Sequence, residues 1–340
     1  MTSSLQPTDS TKKSFALLHP SAIDLGSIAT DTPHLIDISP LSLIRVSGNQ
    51  AQSFLQGQFS NDIEILGKNQ CQLHAYCNPK GRTLAIIRIV RTGRTDNGFW
   101  MIVPKDISES LISRLKMFVM RAKVDIHLDT DYGLLGMVGG VPNAGDVGDA
   151  NEVGLTANLT HFNYPVASVV ARQLIIARAQ DTATCLEVAS DSLYHSDLWR
   201  WLDIQAGIPQ VYAQTIATFI PQTINLELVD GISFNKGCFP GQEIIARIKY
   251  LGKPKQRLII AEVKSNCEIS PGDEIYTTNN PQQKSGLVVD AVKTGQNQFQ
   301  LSATVPATMV ESGDLMLGSA SGAKLQRIGL PYEINPDKSD

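Results

Sequence analysis

The sequence predicts an α+β chain that ends in an antiparallel β-barrel. Strand-like and helix-like runs mix through residues 34–250. Beyond Gly252-Lys253-Pro254 only short strand patterns remain, separated by turns such as Pro271-Gly272-Asp273. Within the first part, Asn78-Pro79-Lys80-Gly81 has the composition of a tight hairpin turn between two strand runs.

The elements follow in order. Leu41 to Ser47 alternates as a half-buried strand, and Gly48-Asn49 opens a short helix through Ala51, Phe54 and Leu55. Residues 70–77 and 83–90 read as strands flanking the hairpin turn. Phe99 to Val103 is a short strand closed by Pro104. From Asp106 to Met120, Ile107, Leu111, Leu115 and Phe118 recur at helical spacing. Residues 139–163 are rich in Gly, Asn, Asp and Thr and read as a long loop or insertion. Gln173 to Arg178 and Leu186 to Ala189 read as strands; Ser196 caps a helix that ends at Gly207. Leu258–Val263, Leu287–Val292, Gln298–Val305 and Asp314–Leu317 supply the barrel. The expected division is a flexible tail over 1–33, a two-part region over 34–250 and a barrel over 251–335.

The chain has 340 residues, enough for about two or three domains. Its net charge of −4 lacks the basic field of a dedicated nucleic-acid binder, so DNA is not an expected partner. No apolar run approaches the roughly 18 residues of a membrane helix. The Ser/Thr-rich stretch from Met1 to Ser14 has no signal-peptide core, so the expected setting is the cytoplasm. A monomer is the expected state. Cys71, Cys77, Cys185, Cys238 and Cys267 form no C-x-x-C pair, and the histidines are scattered, so no metal site is expected. Lys249, Lys253, Lys255 and Arg257 form a basic cluster, open to two readings: a contact for RNA phosphates or a solvated linker.

One segment carries chemistry: Gly231-Ile-Ser-Phe-Asn-Lys-Gly-Cys-Phe-Pro-Gly-Gln-Glu-Ile-Ile-Ala-Arg-Ile-Lys249. Pro240-Gly241 marks a turn, and Ile244, Ile245 and Ile248 then share one helical stripe, so a helix starts near Gly241. Cys238 thereby precedes a helix N-terminus, with Lys236 close in sequence and Arg247 one to two turns into the helix; each positive end favours thiolate over thiol. Gly237 and Gly241 permit sharp turns beside it. Residue chemistry alone leaves two readings open, a reactive thiol or a small buried hydrophobe.

The stretch resembles the K-G-C-[FY]-x-G-Q-E signature of the YgfZ/GcvT family, matched by Lys236, Gly237, Cys238, Phe239, Gly241, Gln242 and Glu243. The likeness spans about residues 40–335 and includes Val46–Gln58, Asn78–Arg82 and Phe219–Leu226. It implies the fold of the glycine-cleavage T-protein: two intertwined N-terminal α+β subdomains around a folate channel, followed by a β-barrel. It also implies a tetrahydrofolate or other folate ligand.

In the helix Asp197–Ala206, Leu198, Trp201, Leu202 and Gln205 share one stripe, which makes Trp201 the expected core residue. Trp199 lies off that stripe, free either to line a cavity or to pack against another subdomain. The resemblance implies that Trp199 contacts folate. It places Leu41 where some members carry a second aromatic, and Gln205 where T-proteins carry a pterin-binding glutamate. T-proteins also use an aspartate just after the glycine turn of the hairpin; Gly81-Arg-Thr-Leu-Ala-Ile-Ile-Arg88 has no acid. The resemblance therefore implies a folate-binding accessory factor for iron–sulfur cluster assembly or repair and tRNA thiomethylation, with iron–sulfur proteins such as a tRNA methylthiotransferase as partners. The alternatives are a folate-dependent one-carbon transferase acting on a small amine and a pure interaction module.

Overall fold

The structure is a computed structural model that describes residues 33–67, 70–92, 98–120, 122–139, 160–164, 170–188, 193–311 and 313–334. The tail expected over 1–33 lies outside these residues except at its end. Three sheets organise the chain. A five-stranded antiparallel sheet has the order β3-β4-β5-β2-β6, from β2 (Leu41–Ser47), β3 (Cys71–Cys77), β4 (Thr83–Arg91), β5 (Phe99–Pro104) and β6 (Asp125–Leu128). A four-stranded antiparallel sheet, β1-β7-β9-β8, combines β1 (His34–Asp37) with β7 (Tyr132–Val138), β8 (Thr160–Asn163) and β9 (Arg172–Arg178). From β1 in one sheet the path runs through the other and returns with β7, which is the intertwining that the resemblance implies.

The five-stranded sheet is covered on both faces, so its central strand reads as a continuous apolar run rather than an alternation. In β4, Ile87 and Ile89 point to one core with Phe54, Leu55 and Phe59, where α1 (Ala51–Gln56) and α2 (Lys105–Val119) pack. Ile86 and Val90 point the other way, to a core shared with Leu174 of the four-stranded sheet and with Leu198 and Trp199 of α4 (Ser196–Gln205). Period-two alternation puts Arg88 on that inner side.

The C-terminal sheet has seven antiparallel strands, β10 (Gln256–Lys264), β11 (Glu274–Thr277), β12 (Gly286–Gly295), β13 (Gln298–Pro306), β14 (Leu315–Leu317), β15 (Ala323–Lys324) and β16 (Gln326–Ile328). Their order is β15-β14-β11-β12-β13-β10-β16, curled around Ile259, Val288, Leu301 and Val305. Helix α4 docks on it: Arg200 Nη2 donates to Asp290 Oδ1 at 2.5 Å and to the Ala291 carbonyl at 2.8 Å.

Several expectations need correction. Leu186–Ala189 is not a strand; α3 (Ala179–Val188) takes most of this stretch, with Cys185 against Leu35 and Leu135. Three apolar residues among four do not discriminate between the two. Of the loop expected over 139–163, residues 140–159 lie outside the described residues, and Thr160–Asn163 forms β8. His195, not Ser196, caps α4, its Nδ1 accepting from the Asp197 N–H at 3.1 Å. Strand β7 escaped notice because of its two glycines. Both are required by neighbours: a Cβ on Gly136 would lie 2.7 Å from Trp199 Cε3, and one on Gly133 would meet Thr182.

Candidate functional site around Cys238

Four segments far apart in sequence converge on the Cys238 turn. The lead-in is stitched to the loop after α1. Ser60 Oγ donates to the Gly231 carbonyl at 2.6 Å, and the Ser233 N–H donates to the Ser60 carbonyl at 3.0 Å. Asn61 Nδ2 bridges the carbonyls of Asp230 and Leu73. Beyond the turn, Gly241 adopts φ +83° and caps α5 (Gln242–Leu251). Gly241 presses on the hairpin turn at Gly81: a Cβ on Gly241 would come 2.6 Å from the Asn78 carbonyl oxygen and 2.8 Å from Gly81 Cα. Gly81 itself, at φ +69°, lies under Ile244. The turn is shaped by Asn78, whose Oδ1 accepts from the Lys80 and Arg82 N–H groups at 2.9 and 3.1 Å. From the fourth segment, Gln222 Nε2 donates to the Ile245 carbonyl at 2.6 Å.

This framework leaves the thiol outside. Phe239 is buried, whereas Gly237 and Cys238 are exposed, and a Cβ on Gly237 would meet nothing within 4 Å. The hydrophobe reading of Cys238 is therefore excluded. Glu243 and Arg247 are exposed on α5, and Gln242 is half-buried. Cys71, Cys77 and Cys185 are buried, and burial pushes the first two thiols up to about 12.

Lys236 is engaged with the main chain of the loop after α1. Its ammonium donates to three main-chain carbonyls: Gln56 at 2.6 Å, Phe59 at 2.6 Å and Asn61 at 2.9 Å. It also sits 5.5 Å from the centre of the Phe239 ring. Burial lowers it to about 8, against the opposing pull of Asp62 and Glu64. Beneath it, buried His74 is held well below 6.5 by desolvation, with Lys236 adding repulsion.

The basic cluster also breaks up. Arg257 is buried and paired with Glu227 at 2.5 Å, so it belongs to the core. Lys249 lies over the Phe234 ring at 5.5 Å. Among the described residues no three His, Cys, Asp or Glu side chains gather as a metal site.

The residues expected at the ligand pocket sit around α4. Trp199 is 2% exposed and packs against the four-stranded sheet, whereas Trp201, the expected core residue, is half-buried. The reason is that α4 is covered on both sides, by the four-stranded sheet at Gly136 and by the barrel. One Trp199 face carries the Arg172 guanidinium, 4.9 Å from the ring centre, and Tyr164 meets the indole edge-on. Gln205 turns to the barrel and donates to Gln300 Oε1. Leu41 is half-buried at the start of β2. Sequence reading missed the buried polar group beside Trp199, namely Arg88, Tyr164, Arg172 and Asp203. An arginine inside the apolar run of β4 was its one visible sign.

No family model matches the chain. The tRNA-modifying protein YgfZ of Pectobacterium carotovorum is 30% identical over 317 residues, covering 89% of this chain and 92% of that protein. The chain belongs to the YgfZ family. YgfZ of Photorhabdus laumondii is 28% identical over 315 residues. The YgfZ fold extends to a solved structure, aminomethyltransferase T of the glycine cleavage system from Bartonella henselae. It matches with a TM-score of 0.61 at 14% identity, over 90% of this chain and 88% of that one. The YgfZ signature thus marks a real structural unit here, an exposed thiol on a pinned turn. No helix among the described residues is long and apolar enough to cross a membrane.

Proposed function

We propose that this protein is a folate-binding accessory factor for tRNA modification, acting in the cytoplasm as a monomer through support of iron–sulfur enzymes. The observation that carries the reading is the exposed Cys238 on a turn held rigidly from below, in a chain whose relatives bear the name tRNA-modifying protein. A rigid, accessible thiol is suited to nucleophilic attack or to holding a soft metal centre in transit. Its partner on this reading is an iron–sulfur protein such as a tRNA methylthiotransferase.

The folate part rests on the T-protein-like fold and on the chemistry around Trp199. The indole Nε1 is buried without a hydrogen-bond partner, which fits a ligand bearing acceptors. Folate would supply redox or one-carbon chemistry there; the residues of this chain hold it and exclude water. Aminomethyl transfer is not expected. No acid follows the Gly81 turn, and Asp203, the acid beside Trp199, is ion-paired to Arg88 at 2.7 Å and Arg172 at 3.0 Å.

The test is deletion of the gene, with profiling of modified tRNA nucleosides and complementation by Cys238→Ala. Loss of thiomethylated nucleosides that wild type restores and Cys238→Ala does not is the expected result. Full complementation by the alanine variant sinks the thiol's role. Formation of methylenetetrahydrofolate from an aminomethyl-lipoyl donor would instead establish the transferase.

A further inference from the structure

The buried polar group beside Trp199 has an unusual balance. Asp203 is saturated. Its Oδ2 accepts from Arg88 Nη2 at 2.7 Å, and its Oδ1 accepts from Tyr164 Oη at 2.9 Å and faces Arg172 Nη1 at 3.0 Å. Arg88 Nε also donates to Tyr164 Oη. The charged and titratable groups acting on Tyr164 are Arg88, Asp203, Arg172 and Cys71. Burial keeps Tyr164 and Cys71 neutral by raising both. Two guanidinium groups therefore share one carboxylate, and the cluster keeps one uncompensated positive charge. Arg88 is 1% exposed and Arg172 4%.

Three N–H donors in this cluster have no acceptor: Arg88 Nη1, Arg172 Nε and Trp199 Nε1. They surround one ring. The centre of Tyr164 lies 5.4 Å from the Arg88 guanidinium carbon, 4.3 Å from that of Arg172 and 4.9 Å from the Trp199 ring centre. Native interiors leave few donors unpaired, because each gives up its hydration with nothing in exchange. Three together, beside an unbalanced cation, describe a site that lacks its acceptor.

We propose that Arg88 Nη1, Arg172 Nε and Trp199 Nε1 form a donor triad that receives a flat, electron-rich acceptor group of the bound ligand. The proposal rests on the folate reading above and gives that ligand an orientation. Two parts of a folate carry such a group, the pterin lactam and the glutamyl carboxylate. Trp199 then acts through its N–H as well as its apolar ring, since Arg172 already covers one face. Ordered water is the competing occupant.

The two readings separate in Arg172→Met. Asp203 keeps Arg88 and Tyr164 in this variant, and the surplus charge disappears. If the triad awaits a ligand, the ligand-free protein unfolds at a midpoint no lower than wild type, while the calorimetric Kd for tetrahydrofolate rises roughly 10- to 100-fold. Trp199→Phe removes a second donor and raises Kd roughly 10-fold; it keeps the test alive if the first variant fails to fold. Titration with 6-methyltetrahydropterin, which has no tail, and with p-aminobenzoylglutamate, which has no pterin, locates the source. The fragment that occupies the triad is the one whose binding each variant weakens. Tetrahydrofolate binding within twofold of wild type in both folded variants overturns the triad and leaves the folate reading intact. A wild-type protein that binds neither tetrahydrofolate nor either fragment overturns both.

Discussion

The Lys236 ammonium donates to the Phe59 carbonyl oxygen at 2.6 Å, and to those of Gln56 and Asn61 besides. The signature lysine is thus a clasp between the Cys238 turn and the loop after α1. Lys236→Met should destabilise the protein by about 1–3 kcal/mol, the cost of leaving buried acceptors unmatched. Lys236→Arg should not restore it, because a planar guanidinium cannot meet three carbonyls converging on one point. Urea unfolding measures both; an arginine variant as stable as wild type would count against the clasp.

The two signature glycines differ in kind. Gly241 combines a left-handed φ of +83° with backbone contact to the hairpin, so Gly241→Ala should cost about 1–3 kcal/mol. Gly237→Ala enters open space and should stay within about 0.5 kcal/mol of wild type. Equal costs in denaturant titrations would refute the packing argument.

Alkylation of the native protein should label Cys238 and Cys267, the two exposed thiols, and spare Cys71, Cys77 and Cys185 until the chain unfolds. Mass spectrometry after a timed iodoacetamide pulse reads this directly. Early labelling of Cys71 would show that the inner core opens.

His74 makes stability depend on pH. The unfolded chain takes up a proton near 6.5, whereas the buried imidazole resists it, so the folded state loses ground as pH falls below 6.5. His74→Gln should flatten that part of the stability–pH curve whatever it does to the absolute value. A slope unchanged between pH 6.5 and 5 would mean that other groups set the acid limit.

Much of this was legible in the sequence. Strands β2 to β5, the hairpin at Asn78 and the start of α5 after Gly241 follow from local pattern and turn chemistry, which neighbours do not override. The exposure of Cys238 follows less directly, because a lone cysteine is ambiguous until its turn is seen to be carried on the surface. The role of Lys236 was invisible. Sequence distance placed it beside the thiol, but its side chain reaches carbonyls about 180 positions upstream. Trp201 was expected in the core ahead of Trp199 for a related reason: a helical stripe predicts the core only when one side of the helix is covered, and α4 is covered on two.

Helix α4 is a shared wall. Trp199 faces the inner core, while Arg200 and Gln205 are bonded to Asp290 and Gln300 of the barrel. Nothing hinge-like separates the two sides, since consecutive residues of one rigid helix serve them alternately. Cutting the barrel away would therefore strip Arg200 and Gln205 of Asp290 and Gln300 and uncover one side of the helix that carries Trp199.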